Sequence, residues 1–96
     1  MILRLVKMGF KPENCEDFKV LFYSVQPMIA AFPGCMHVEL LRDKTNPDFF
    51  FTLSHWNSEK DLEAYRVSEL FKDTWTKTKA LFAHKPEAWS TEKVTQ

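Results

Sequence analysis

His55 stands next to last in the alternating run "FFFTLSHW", just ahead of a helix-start signal, and its imidazole is the chain's leading candidate for accepting a proton near neutral pH. The alternative role is a hydrogen-bonded histidine that packs on its neighbours. A hairpin register that pairs 37 with 55 brings His37 onto the same face, with Glu39 nearby. Two imidazoles and a carboxylate begin a metal site, but no third firm ligand is visible, so no metal is expected. Tyr23, Tyr65 and Trp75 are large amphipathic rings in helical stretches, the kind of side chain that can wall in a flat aromatic ligand. Trp75 also falls on an apolar stripe and suits a plain core position, while Tyr23 sits one step off its stripe and suits the surface. Trp56 reads as core, Asn57 as support for a cap at Ser58, and Trp89 as core or subunit interface. No Ser-His-acid triad, glycine-rich phosphate loop or pair of acids at one site can be read out.

These residues need elements to carry them. "ILRLVKMGF" has strand composition and ends at Gly9. "KPENCEDF" opens a helix, with Asn14 and Asp17 spaced as a cap with its reciprocal acid. Phe18, Leu21, Phe22, Val25, Met28, Ile29 and Phe32 follow at three- and four-residue steps. Pro27 removes a backbone donor inside this stripe, and a kink is expected there because the stripe continues in phase. Pro33-Gly34 ends the helix. "CMHVELLR" and "FFFTLSHW" then form a hairpin across "DKTNPD". Ser58, with Asp61 three residues on, starts a short helix. Ser68 restarts it, and Leu70, Phe71, Thr74, Trp75, Thr78, Leu81 and Phe82 make a second stripe. "PEAWSTEKV" supplies a closing strand. The order βαββαβ predicts one ferredoxin-like α+β domain over residues 1–96, with the second helix broken in two.

Composition narrows the partners. Apolar residues make up 45% of the chain, enough for a core in one small domain. Thirteen basic and thirteen acidic residues are interspersed, so there is no basic stripe for a phosphate backbone and nucleic acid is not an expected partner. Cys15 and Cys35 lack metal-finger or redox spacing and read as free thiols in a reducing compartment. No leader and no membrane span is read from the sequence, so no membrane partner and a cytoplasmic location are expected. The strands themselves are apolar on both parities: Ile2, Val6 and Met8 alternate with Leu3 and Leu5, and residues 49–51 are all Phe. Helices on one face would leave the other bare over roughly 400 Å². Such a patch calls for a cover, and a second copy of the chain is the simplest.

The "PGC" ahead of the second strand and the run "NPDFFFTLSHWNSEKDLEAYRVSELFK" resemble the antibiotic biosynthesis monooxygenase domain family. The specific part is the pattern from Trp56 to Phe71, and the layout matches over nearly the whole chain. That resemblance implies a dimeric α/β barrel with sheets packed together and a pocket between each sheet and its own helices. It also implies, among characterised members, cofactor-independent oxygenation of polycyclic phenols and quinones, or haem degradation. The haem-degrading branch carries an Asn in the first strand, a Trp after the third strand and a His further on. Here those positions hold Val6 or Lys7, Tyr65 and Trp75. An indole cannot ligate iron, so haem is not expected.

The expected activity is monooxygenation of a small phenol- or quinol-type aromatic without a cofactor, with His55 as base and Tyr23, Tyr65 and Trp75 shaping the pocket. A dimeric protein that binds a small ligand without turnover is the alternative.

Overall fold

A computed structural model of the chain describes residues 1–94. The chain runs β1 (Ile2–Gly9), a 3-10 turn (Pro12–Asn14), α1 (Cys15–Ala30), β2 (Cys35–Arg42), β3 (Phe49–Trp56), α2 (Glu59–Arg66), α3 (Glu69–Lys79) and β4 (Glu87–Thr91). The four strands form one antiparallel sheet in the order β2-β3-β1-β4. This is the ferredoxin-like α+β arrangement that the element order predicts.

Helix α1 buries Phe18, Phe22, Val25 and Ile29, the spine of its apolar stripe, and runs on through Pro27 to Ala30. Its start differs from the sequence reading. Asn14 makes no side-chain cap to the helix. Its Nδ2 instead donates to the Leu81 carbonyl at 3.3 Å, which ties the start of α1 to the chain leaving α3. The two later helices begin as their sequences predict. Ser58 Oγ accepts from the Asp61 N–H at 3.2 Å, and Ser68 Oγ accepts from the Phe71 N–H at 3.1 Å. Ser68 also donates to the Tyr65 carbonyl at 2.6 Å, so one side chain both ends α2 and begins α3.

Alternation along the strands sorts the sheet into two faces. On β3, Phe50, Ser54 and Trp56 are buried toward the helices, with Thr52 half-buried between them. Met8 of β1 and Val38 of β2 share that face. The core is aromatic at its centre: the Phe10 and Phe18 rings stack with centroids 4.3 Å apart, and Phe50 meets both edge-on. The opposite face carries Leu3, Leu5, Phe51 and Leu53 from the two central strands, and Trp89 is 42% exposed on the outer one. Helix α1 lies over β2, and α3 rests against α1. All five residues of β4 are exposed.

The hairpin between β2 and β3 turns on Asp43, whose Oδ1 accepts from the Thr45 and Asn46 N–H groups at 2.8 and 3.2 Å. Its register pairs His37 with His55, as expected, after an irregularity between Cys35 and His37.

Gly34 joins the end of α1 to the end of β3. It adopts a positive φ of 87°, and its carbonyl accepts the Asn57 N–H at 2.9 Å. A Cβ at this position would collide with the Asp61 side chain. Gly34→Ala should therefore cost about 2 kcal/mol or more, from the left-handed backbone and the collision together. Urea unfolding of the variant against wild type measures it, and an unchanged midpoint would contradict the strained position.

Candidate functional site

A cavity of about 310 Å³ lies between the sheet and the helices. Its floor follows from side-chain size along the strands. Phe50 and Trp56 bracket Thr52 and Ser54 on β3, while Val6 pairs with Thr52 on one side and Ala88 on the other. Four small residues in the middle of a sheet otherwise covered by large ones leave a hollow. The volume is at the lower end of what small-molecule sites occupy.

The helices supply aromatic walls. Tyr65 of α2 stacks on Trp56 with centroids 4.9 Å apart and an interplanar angle of 26°. Phe71 meets Tyr65 edge-on at 5.3 Å and stacks on Trp75 at 5.9 Å, and Trp75 meets Phe82 at 5.6 Å. Trp56 is fully buried, and its Nε1–H donates to Ser54 Oγ at 2.9 Å, so the indole costs no unpaired donor. Burial pushes the Tyr65 phenol up to about 12, with a smaller push from Cys35, so this hydroxyl is a neutral donor at any ordinary pH.

Polar groups on the cavity are few. Thr78 Oγ1 is occupied, donating to the Thr74 carbonyl at 2.8 Å. Thr74 Oγ1 is buried with no hydrogen-bond partner, a vacancy that a ligand oxygen could fill. Arg4 from β1 and Arg66 from the end of α2 also line the cavity. Burial and repulsion from Arg66 lower the Arg4 guanidinium from its ordinary value, and Glu63 opposes them.

The residues singled out from sequence divide. Tyr65 and Trp75 both line the cavity. His55 does not: it pairs with Leu3 and His37 on the bare face of the sheet, where its ring meets that of His37 at 5.2 Å. The pleat is the cause, since an odd-numbered β3 residue points away from the helices. Tyr23 is 57% exposed on α1 and borders a shallow depression with Lys19, Leu41 and Arg42 rather than the cavity. His37 Nε2 lies 3.4 Å from Glu39 Oε2. No group of three or more His, Cys, Asp or Glu suited to a metal ion occurs among the described residues. Cys15 and Cys35 are free, and neither lines the cavity. Sequence reasoning missed Arg4, Arg66 and Thr74. The even parity that Arg4 shares with Val6 and Met8 was the available signal.

The chain belongs to the antibiotic biosynthesis monooxygenase family, whose sequence profile matches residues 1–77. A crystal structure of an antibiotic biosynthesis monooxygenase superposes with a TM-score of 0.91 at 18% identity, covering 99% of this chain and 100% of the other. A conserved protein from Methanosarcina mazei Go1 superposes at 0.90 with 23% identity, covering 98% and 94%. Among curated proteins, the "Putative heme-binding protein VNG_2021C" of Halobacterium salinarum is 30% identical over 76 residues, which is 79% of this chain and 15% of that protein. The chain thus spans a small fraction of that relative's length. Among the described residues no helix is long and apolar enough to cross a membrane.

The raised Tyr65 value has a stability consequence. Between about pH 10 and 12 the unfolded chain ionises this phenol while the folded chain does not, so stability falls as pH rises through that window. The loss should total about 2–3 kcal/mol. Tyr65→Phe should remove that part of the alkaline decline, which urea unfolding at stepped pH would show. A variant that declines as steeply as wild type would contradict the buried phenol.

Proposed function

We infer that this domain binds a small phenol- or quinol-type aromatic in the cavity and oxygenates it with dioxygen, acting as a homodimer joined through the bare sheet face. The carrying observation is the aromatic-walled hollow between sheet and helices in a chain of the antibiotic biosynthesis monooxygenase family. A flat ring fits between the Tyr65–Trp75 wall and the Thr52–Ser54 floor, shielded from water. The chemistry balances without a cofactor. A phenolate with hydrogen on a free para carbon passes one electron to dioxygen, the two radicals combine at that carbon, and loss of water leaves a quinone. A quinol reacts in the same way at a ring carbon that carries hydrogen, ortho to its ionised oxygen. One oxygen atom enters the product, and the other departs as water with the two hydrogens of the phenol and the attacked carbon.

His55 takes no part in this scheme, because it lies on the other face of the sheet from the cavity. The substrate enters as its anion or loses its proton to water. The domain orients the ring and keeps the site dry.

Haem is a poor occupant. Among the described residues the lining contains neither His nor Cys, Trp75 offers no lone pair to iron, and the high Tyr65 value disfavours a phenolate ligand. The name of the halobacterial relative is therefore not carried over to this chain. Binding without turnover is a second reading. It is favoured by one observation, that among the described residues no histidine, cysteine or lysine lines the cavity.

Dimerisation rests on the bare face, where Leu41 is 41% and Trp89 42% exposed beside half-buried Leu3, Leu5, Phe51 and Leu53. An apolar surface of this extent is stable in water only when covered.

Oxygen consumption with a panel of anthrones and hydroquinones tests turnover. Ligand-induced rise in melting temperature without oxygen uptake would select the binding reading. His55→Gln should keep its turnover, whereas removal of a general base lowers rate by about 10²–10⁴. Light scattering should give twice the 11.3 kDa chain mass. Leu53→Asp, which places a charge in the centre of the bare face, should yield monomers or aggregate. A wild-type monomer at micromolar concentration would refute the dimer.

A further inference from the structure

Arg4 is out of place in an apolar wall. It sits on the helix-facing parity of β1, two residues from Val6, and is half-buried. One donor, Nη1–H, is spent on Ser90 Oγ at 2.9 Å. It takes part in none of the ion pairs found among the described residues. A half-buried guanidinium without a carboxylate keeps most of its five donors and its full charge in reserve.

Arg66 is the second cation on the same cavity. Its Nη1 meets Glu63 Oε2 at 3.3 Å in an exposed pair, which constrains it weakly. Burial, and after it repulsion from Arg66, lowers the Arg4 guanidinium from its ordinary value. Two like charges brought to one hollow are costly unless something negative arrives between them. Glu63 offsets part of this. Glu87 also borders the cavity, but it pairs with Lys7, so its side chain belongs to the bare face with that lysine. Arg4 pairs with Ser90 of β4, whose residues are all exposed, and Arg66 is itself exposed, so a charged group beside them can keep contact with water.

We propose that Arg4 and Arg66 form an anion-recognition site at the solvent side of the cavity, so that the preferred ligand is an aromatic carrying a carboxylate or an ionised phenol. This rests on the reading that the cavity holds a small aromatic, and it specifies the charge of that ligand. The ring enters the hollow against Tyr65 and Trp75 while the anionic group stays between the guanidinium groups. Arg4 is the stronger selector, since it is the more buried and has no carboxylate of its own. The buried Thr74 hydroxyl remains for a second ligand oxygen deeper in. For a phenol, two cations at the ring oxygen also lower the ligand's own pKa, which supplies the anion in a site without a base.

The test compares 2-naphthoate with 2-naphthamide, two ligands of nearly the same shape that differ in charge. Binding to wild-type protein is followed by tryptophan fluorescence at pH 7. Naphthoate should bind about tenfold tighter or more than the amide at low ionic strength. That ratio should shrink as salt rises from about 0.01 M to about 1 M, where the Debye length falls from about 30 Å to about 3 Å. Arg4→Gln and Arg66→Gln should each lower naphthoate affinity several-fold and leave the amide affinity unchanged, with Arg4→Lys retaining part of the preference. Equal binding of the two ligands to wild type would overturn the anion site while leaving the aromatic cavity standing. A salt-insensitive ratio would overturn it as well, and so would glutamine variants that keep the wild-type preference. Failure of both ligands to bind would overturn the cavity reading, and the anion site with it.

Discussion

Alternation of side chains along β3 is the constraint on which the rest of this molecule depends. The sequence Phe49 to Trp56 puts Phe50, Thr52, Ser54 and Trp56 under the helices and Phe49, Phe51, Leu53 and His55 on the other side. The first set makes both the core and the floor of the cavity, because two large rings flank two small polar residues. The second set, with Leu3 and Leu5 opposite it, makes an apolar face that water does not favour. A single strand thereby fixes where a ligand can lie and where another protein surface can pack. A shift of one residue in its register would exchange the two.

The break in the second helix has a related consequence. A straight helix from Glu59 to Lys79 would run about 30 Å in one direction and could not curve around a hollow. Ser68 closes α2 through the Tyr65 carbonyl and opens α3 through the Phe71 N–H. The turn between them lets aromatic rings from both helices meet in series, from Trp56 through Tyr65 and Phe71 to Trp75 and Phe82. Each contact is of the offset-stacked or edge-to-face kind that aromatic pairs prefer. The cavity wall is thus also a structural spine, in which half-buried Trp75 packs between Phe71 and Phe82 while it lines the cavity.

Much of the fold was legible because it rests on local signals: strand composition, three- and four-residue apolar steps, serine caps and a turn-rich hairpin loop. The His37–His55 pairing was legible for the same reason, as a consequence of hairpin length. The helix-facing parity was not, since both parities of the strands are apolar and no polar face marked the outside. His55 was chosen as base by its chemistry with its face left open between pocket and subunit seam, and the pleat turns it away from the cavity. Asn14 fitted a capping pattern, yet it bonds to Leu81, a partner in a distant part of the chain that no local pattern reveals. Arg4 and Arg66 escaped for that reason too: they are far apart in sequence and come to one cavity only when α2 folds onto the face of the sheet that Arg4 of β1 occupies.

Among the described residues no His, Cys, Lys or Asp lines the cavity, and Glu87 pairs with Lys7 on the bare face, which constrains the proposed oxygenation. A neutral phenol is a poor electron donor to dioxygen, and its anion is a much better one, so some group must favour ionisation. Tyr65 cannot accept that proton as phenolate, since burial holds its own phenol near 12. What the proposed anion site offers is positive charge from Arg4 and Arg66 at the solvent side of the cavity, where Coulomb attraction that water partly screens stabilises an anion. Stabilising the anion by charge is thermodynamically equivalent to supplying a base, with bulk water taking the proton. It places the burden on substrate acidity. Ligands whose phenols already ionise near neutral pH gain most from such a site, while weakly acidic phenols would bind in their neutral form and remain unreactive.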